Sequence, residues 1–224
     1  MTIIKDKKCI KYFVVSGIIL LCLYSNAVAD LLKPIFDDIY YGNLVKVFTS
    51  VASAIIWGLE IGAIVFVCKK LNISLFTPKE AKRKELQTWQ VILLFVLTIL
   101  PMLIISASIG WKVKIVHVLG ERVTLMGLLG NASEMLAYAV RMVLIVMFIA
   151  SVQKGCDLIF KTKYTIPFGG IVALCTFGLI DFFALGVDLR AFYLLVSLLY
   201  GVIYLVAGKK FAVTWVLCYL IYLL

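Results

Sequence analysis

The sequence predicts an all-α protein, a polytopic transmembrane bundle of about seven hydrophobic segments. Three observations predict it. Hydrophobic residues make up 64% of the 224 positions and charged residues only 15%, a balance far outside the globular range. Seven apolar blocks are nearly free of the 12 acids and 22 bases, and most are long enough to approach the roughly 20 residues that a spanning helix needs. The bases also alternate in number from one flank to the next. No Pro/Gly/Ser-rich linker divides the chain, so residues 1–224 read as a single membrane domain.

The blocks are Tyr12–Ala29, Val47–Cys68, Trp89–Trp111, Leu125–Val152, Phe168–Val187, Ala191–Ala207 and Phe211–Leu224. The flanks on the N-terminal side of the membrane carry 15 Lys and Arg residues; the opposite flanks carry six. That asymmetry is the positive-inside signature and places the N-terminus in the cytoplasm of a multi-pass cell-membrane protein. The net charge of +10 therefore orients the chain against anionic lipid. It does not form a nucleic-acid surface, so the lipid bilayer is the partner that composition implies.

The first block follows Lys5, Lys7, Lys8 and Lys11 and ends in Ala27-Val28-Ala29. That is the layout of a signal peptide cleaved before Asp30. It also fits an uncleaved first helix, the reading preferred here because small residues are common in membrane helices. The loop after it, Asp30–Lys46, has the mixed polarity of an interfacial segment. The second block contains Gly58-Leu-Glu-Ile-Gly62. Small residues four apart let a neighbouring helix approach closely. In the loop that follows, Thr77-Pro78 opens a charged helical stretch, with Thr77 as N-cap and Pro78 at the first helical position. The third block holds Pro101, which predicts a kink. His117 is the single histidine and sits in an amphipathic stretch. One histidine and no Cys-x-x-Cys pair leave no expected metal site, and no cofactor motif is present. The six cysteines lie in spans or on the cytoplasmic side and are expected to stay reduced. The sequons at Asn72 and Asn131 fall in the cytoplasm and within a span, so neither is expected to carry sugar. The last block is about 21 Å long as a helix, short of the roughly 30 Å hydrocarbon core.

Four charges interrupt the blocks: Glu60, Glu134, Arg141 and Asp181. An ionisable group in hydrocarbon costs roughly 2.5–3.5 kcal/mol on insertion scales, so each calls for a partner, a cavity or a purpose. At 1.5 Å per residue, Glu134 falls about 6 Å outward of the midplane and Asp181 about 5 Å outward. Glu60 and Arg141 each fall about 4 Å inward. Two depth-matched pairs follow. Glu60 with Arg141 is expected to tie the second span to the fourth. Glu134 with Asp181, if close, would leave one acid protonated, as suits proton transfer, cation binding or water activation.

The C-terminal half, about residues 125–224, resembles the CAAX protease and bacteriocin-processing (CPBP, or Abi) membrane family. Ser133-Glu134-Met-Leu-Ala-Tyr-Ala-Val-Arg141 sits where that family carries Glu-Glu-x-x-x-Arg. Phe177-Gly-Leu-Ile-Asp181 is similar to its Phe-x-x-x-His motif. The run Leu194 to Leu220 has the cadence of its last two helices. The resemblance implies an intramembrane endopeptidase that activates water with a glutamate assisted by two histidines. Here only one glutamate is present, the arginine comes late, Asp181 stands at one histidine position, and Leu217 or Cys218 stands at the other. Glu134 and Asp181 are the candidate catalytic residues, and Glu60, Arg141, Phe177 and Cys218 are candidate binding or structural residues. The reading is a weakly active or non-catalytic member that processes, shields against or binds a peptide or another membrane protein. The alternatives are a small transporter or its substrate-binding subunit, and a scaffold whose charges only hold helices together.

Overall fold

The computed structural model describes residues 7–25, 42–76, 85–108, 125–160, 166–179 and 190–223. These residues are helical, with no strand among them. The helices are α1 (Lys7–Tyr24), α2 (Gly42–Lys70), α3 (Thr88–Ser108), α4 (Leu125–Phe160), α5 (Phe168–Ala173, running on through a π-turn, Leu174–Gly178), α6 (Arg190–Val206) and α7 (Phe211–Leu223). One helix lies on each apolar block. By length and composition, two stretches can cross a bilayer: Lys46–Lys70 in α2 and Leu128–Phe160 in α4.

The 36-residue α4 is the axis of the bundle. It packs against α1, α2, α5, α6 and α7. Every residue from Leu144 to Gln153 is buried, so this stretch is enclosed on all sides. Ser16 of α1 and Ser151 of α4 share a buried hydroxyl contact of 2.7 Å. On α7, Trp215 Nε1 donates to Ala139 O at 3.0 Å and Tyr219 Oη donates to Met135 O at 3.0 Å. Both members of each pair are one turn apart, so α7 is laid along a single stripe of α4.

The outer helices contrast with this core. On α3 the buried positions are Leu94, Thr98 and Pro101, a stripe at helical spacing. Phe95, Ile92, Leu100, Leu103 and Ile104 are more than half exposed or close to it. Pro101 lies inside an unbroken helix. Phe48, Ile55, Leu59 and Phe66 form the matching exposed face of α2. Its other face, Ser53, Trp57, Ile64 and Cys68, is buried.

Glycine sets the closest contacts. A Cβ on Gly201 of α6 would lie 2.3 Å from Gly170 Cα and 2.4 Å from Gly170 N. A Cβ on Gly169 would lie 2.5 Å from Ile149 O of α4. The start of α5 is therefore wedged, backbone to backbone, between α4 and α6. Gly58 and Gly62, expected to mediate a close approach, have nothing within 4 Å of such a Cβ. They face outward, so the helix-packing expectation for that pair is corrected.

Chain reversals follow standard capping chemistry. After α6, Lys209 N–H bonds Tyr204 O and Gly208 N–H bonds Leu205 O, with Gly208 at φ +65°. This is a Schellman cap with glycine in the left-handed position. After α2, Ile73 N–H bonds Cys68 O and Asn72 N–H bonds Lys69 O, with Asn72 at φ 54°. Asn72, read in sequence as a discounted sequon, is the residue that ends this helix.

Candidate functional site

The polar side chains of the bundle gather at three levels along α4. Near its start, Lys46 Nζ of α2 lies 2.5 Å from Glu134 Oε2 and donates to Asn131 Oδ1 at 3.1 Å. Both members of the ion pair are about a third to two-fifths exposed. The carboxylate proposed from sequence as a catalytic base thus has its charge matched by a lysine. Glu134 also lies farther from the helix centre than the apolar block suggests. Hydropathy ends the block at Val152, but the helix runs on to Phe160. Its midpoint moves to about residue 142, which puts Glu134 about 13 Å away along the axis.

The second level is at the other end. Gln153 is 1% exposed and satisfies three partners. It donates to Asp157 Oδ1 (2.9 Å) and to Ile166 O (3.0 Å), and its Oε1 accepts from Gly169 N–H (3.1 Å). Asp157 Oδ2 then holds Lys209 Nζ at 2.5 Å. One buried amide therefore joins the tail of α4, the entry to α5 and the α6–α7 turn. Lys154 donates to Ser74 O and Phe76 O, and Lys11 donates to Leu71 O, so two ammonium groups cap the strap that leaves α2. Gln90 of α3 donates to Val206 O of α6. Sequence reading missed Gln153, Asp157 and Lys46. Gln153 and Asp157, one turn apart, are the signal that α4 continues past its apolar block.

The third level is interior. Trp57, Glu60 and Ile64 continue one stripe of α2. Arg141 of α4 stands over the Trp57 ring, Cζ to centroid 5.9 Å. The expected Glu60–Arg141 ion pair is not formed: among the described residues the ion pairs are Lys46–Glu134 and Lys209–Asp157. Ser25, just past the end of α1, is a polar neighbour of Glu60.

The remaining candidates are packed. Phe177 lies in the π-turn, 7% exposed, with its ring edge-on to Phe148 at 5.8 Å. Cys218 is fully buried on the α7 face turned to the core. The six cysteines are free. Asp181, His117, Thr77 and Pro78 lie outside the described residues, so the expected Glu134–Asp181 juxtaposition does too. Among the described residues no three His, Cys, Asp or Glu side chains come together as metal ligands.

No family model, no curated protein and no solved structure matches this chain.

Proposed function

We propose that this chain is a multi-pass integral membrane protein with a cytoplasmic N-terminus that binds a peptide or a partner protein without hydrolysing it, as a degenerate relative of the CPBP family would. The observation that carries this reading is the Lys46–Glu134 pair. A carboxylate oxygen occupied by an ammonium group, near one end of its helix, fastens α2 to α4 and is not open to hold an attacking water.

The membrane reading has two supports. The exposed apolar faces of α2 and α3 would be a severe liability in water, where large contiguous apolar patches are rare. Lys11, the 71–76 strap, Gln90, Lys154, Asp157, Val206 and Lys209 are linked by hydrogen bonds at one end of the bundle. These are flanks that the charge count puts in the cytoplasm. About 34 Å of α4 separates Glu134 from Asp157, slightly more than a hydrocarbon core. Val15 and Ile19, fully buried, favour a first helix that is retained rather than cleaved.

Two measurements test the reading. Single-cysteine accessibility should label positions beside Lys70 and Lys210 from the cytoplasmic side only. Cells carrying Glu134→Gln should keep the parent's resistance to peptide bacteriocins. A peptide fragment produced by the parent and lost in Glu134→Gln would overturn the non-hydrolytic reading. A transporter is the second reading, favoured by one observation: Glu60 and Arg141 sit among apolar helices without an ionic partner among the described residues.

A further inference from the structure

Among the described residues, the buried polar side-chain atoms without a hydrogen-bond partner include Trp57 Nε1, Glu60 Oε2 and Arg141 Nε. Buried polar atoms are nearly always satisfied, by protein or by ordered water. Leaving one bare costs about 1–3 kcal/mol, and more when the group is charged. Trp57 links the other two, through its ring to Arg141 and by three residues along α2 to Glu60, so one occupant could serve all three.

Their placement is specific. Trp57 is 2% exposed, so its indole N–H cannot reach bulk solvent. Glu60 is three residues on, on the same helix face, where Cβ atoms lie about 5–6 Å apart. Arg141 closes the group from α4, against the Trp57 ring. Two of the atoms are donors and one is an acceptor. An occupant must accept from Trp57 and Arg141 and donate to Glu60. It must also be small enough to lie among packed helices.

We propose that Trp57, Glu60 and Arg141 form an intramembrane water site, in which ordered water bridges the Glu60 carboxylate to the Arg141 guanidinium and the Trp57 indole. Water both donates and accepts, and a buried molecule typically makes about three such bonds. The two opposite charges then form a solvent-separated pair, which explains why they share a level without touching. The site lies near the centre of α4, so it offers a proton or a small polar solute a foothold in the apolar layer. This builds on the membrane reading, yet its test does not depend on topology.

The test uses the full-length protein in lipid nanodiscs, with its tryptophans labelled with 15N at the indole nitrogen. Four indole signals are expected, and Trp57→Phe assigns one of them. If that variant fails to fold, Trp89→Phe, Trp111→Phe and Trp215→Phe assign Trp57 by elimination. Trp215 is the internal control, because its N–H already donates to Ala139 O. The Trp57 indole should show a cross-peak to water. It should also exchange about tenfold faster than that of Trp215 or more, since a proton in contact with water needs no opening of the helices. A Trp57 signal with no water cross-peak and exchange as slow as Trp215 overturns the proposal. A cross-peak to lipid headgroup protons in place of water overturns it as well. A dispersed four-signal spectrum shows in the same experiment that the protein is folded, so either result bears on the site and leaves the membrane reading to the accessibility measurement.

Discussion

The outer face of α2 and the junction of α5 with α6 are both built around glycine, and they use it in opposite ways. Gly58 and Gly62 open onto nothing within 4 Å, while Gly169, Gly170 and Gly201 bring three backbones into contact. The α2 pair has the small-residue spacing that marks a packing face, and the α5–α6 set has no such spacing. Buried α2 residues lie on the other side, at Ser53, Trp57, Ile64 and Cys68. In hydrocarbon no hydrophobic driving force pulls helices together, so close packing and a few hydrogen bonds must hold them. The α4–α5–α6 region has both. The outward faces of α2 and α3 leave Ile55, Leu59, Phe66, Phe95 and Leu100 exposed.

The sharpest break of this contrast is Gly201→Val. Its Cβ would overlap the Gly170 backbone, which cannot swing aside as a side chain can. The loss should exceed about 3 kcal/mol, read as failure to recover a monodisperse species by size exclusion. Gln153→Leu comes next. It strips partners from Gly169 N–H, Ile166 O and Asp157 at a buried position, and about 3 kcal/mol is expected in a reversible unfolding assay. Trp215→Phe and Tyr219→Phe each remove one hydrogen bond to an α4 carbonyl and should cost about 1 kcal/mol apiece. Lys46→Met should cost about 1 kcal/mol or less, because its pair with Glu134 is partly exposed, and the difference from the parent should shrink in high salt. Gly58→Ala and Gly62→Ala should change stability by no more than about 0.5 kcal/mol. If the last two prove as damaging as Gly201→Val, a helix not seen here packs on α2, and its exposed face is an interface rather than a lipid surface.

The charged residues repeat the lesson. Matching depths along separate spans suggested Glu60 with Arg141; in the other depth-matched pair, Glu134 with Asp181, the aspartate lies outside the described residues. In the structure Glu134 is matched with Lys46, and Asp157 with Lys209. Depth is one coordinate of three, and helix rotation decides who meets whom. Arg141 is turned to Trp57, so the guanidinium spends its face on an aromatic ring instead of a carboxylate. The end of α4 was misplaced for a related reason. Hydropathy marks where lipid contact stops, and the hydrogen-bonded helix has no reason to stop there while Gln153 and Asp157 still have partners to reach.

Two residues singled out by the resemblance to the CPBP family, Phe177 and Cys218, have defined surroundings in the structure. Phe177 is held edge-on to Phe148, and Cys218 is sealed in the core. Both act as packing in this fold. The α7 helix does lie along the stretch between Glu134 and Arg141, through Trp215 and Tyr219.

An all-helical chain with a helix on each of the seven apolar blocks was legible in the sequence. Apolar length and the bias of Lys and Arg act on each segment locally, and no knowledge of its neighbours is needed. Which glycines touch, which acid meets which base, and the three bare polar atoms around Trp57 were decided by tertiary packing. Those outcomes depend on the rotation of each helix about its own axis, which apolar length and charge bias leave unspecified until another helix packs against it.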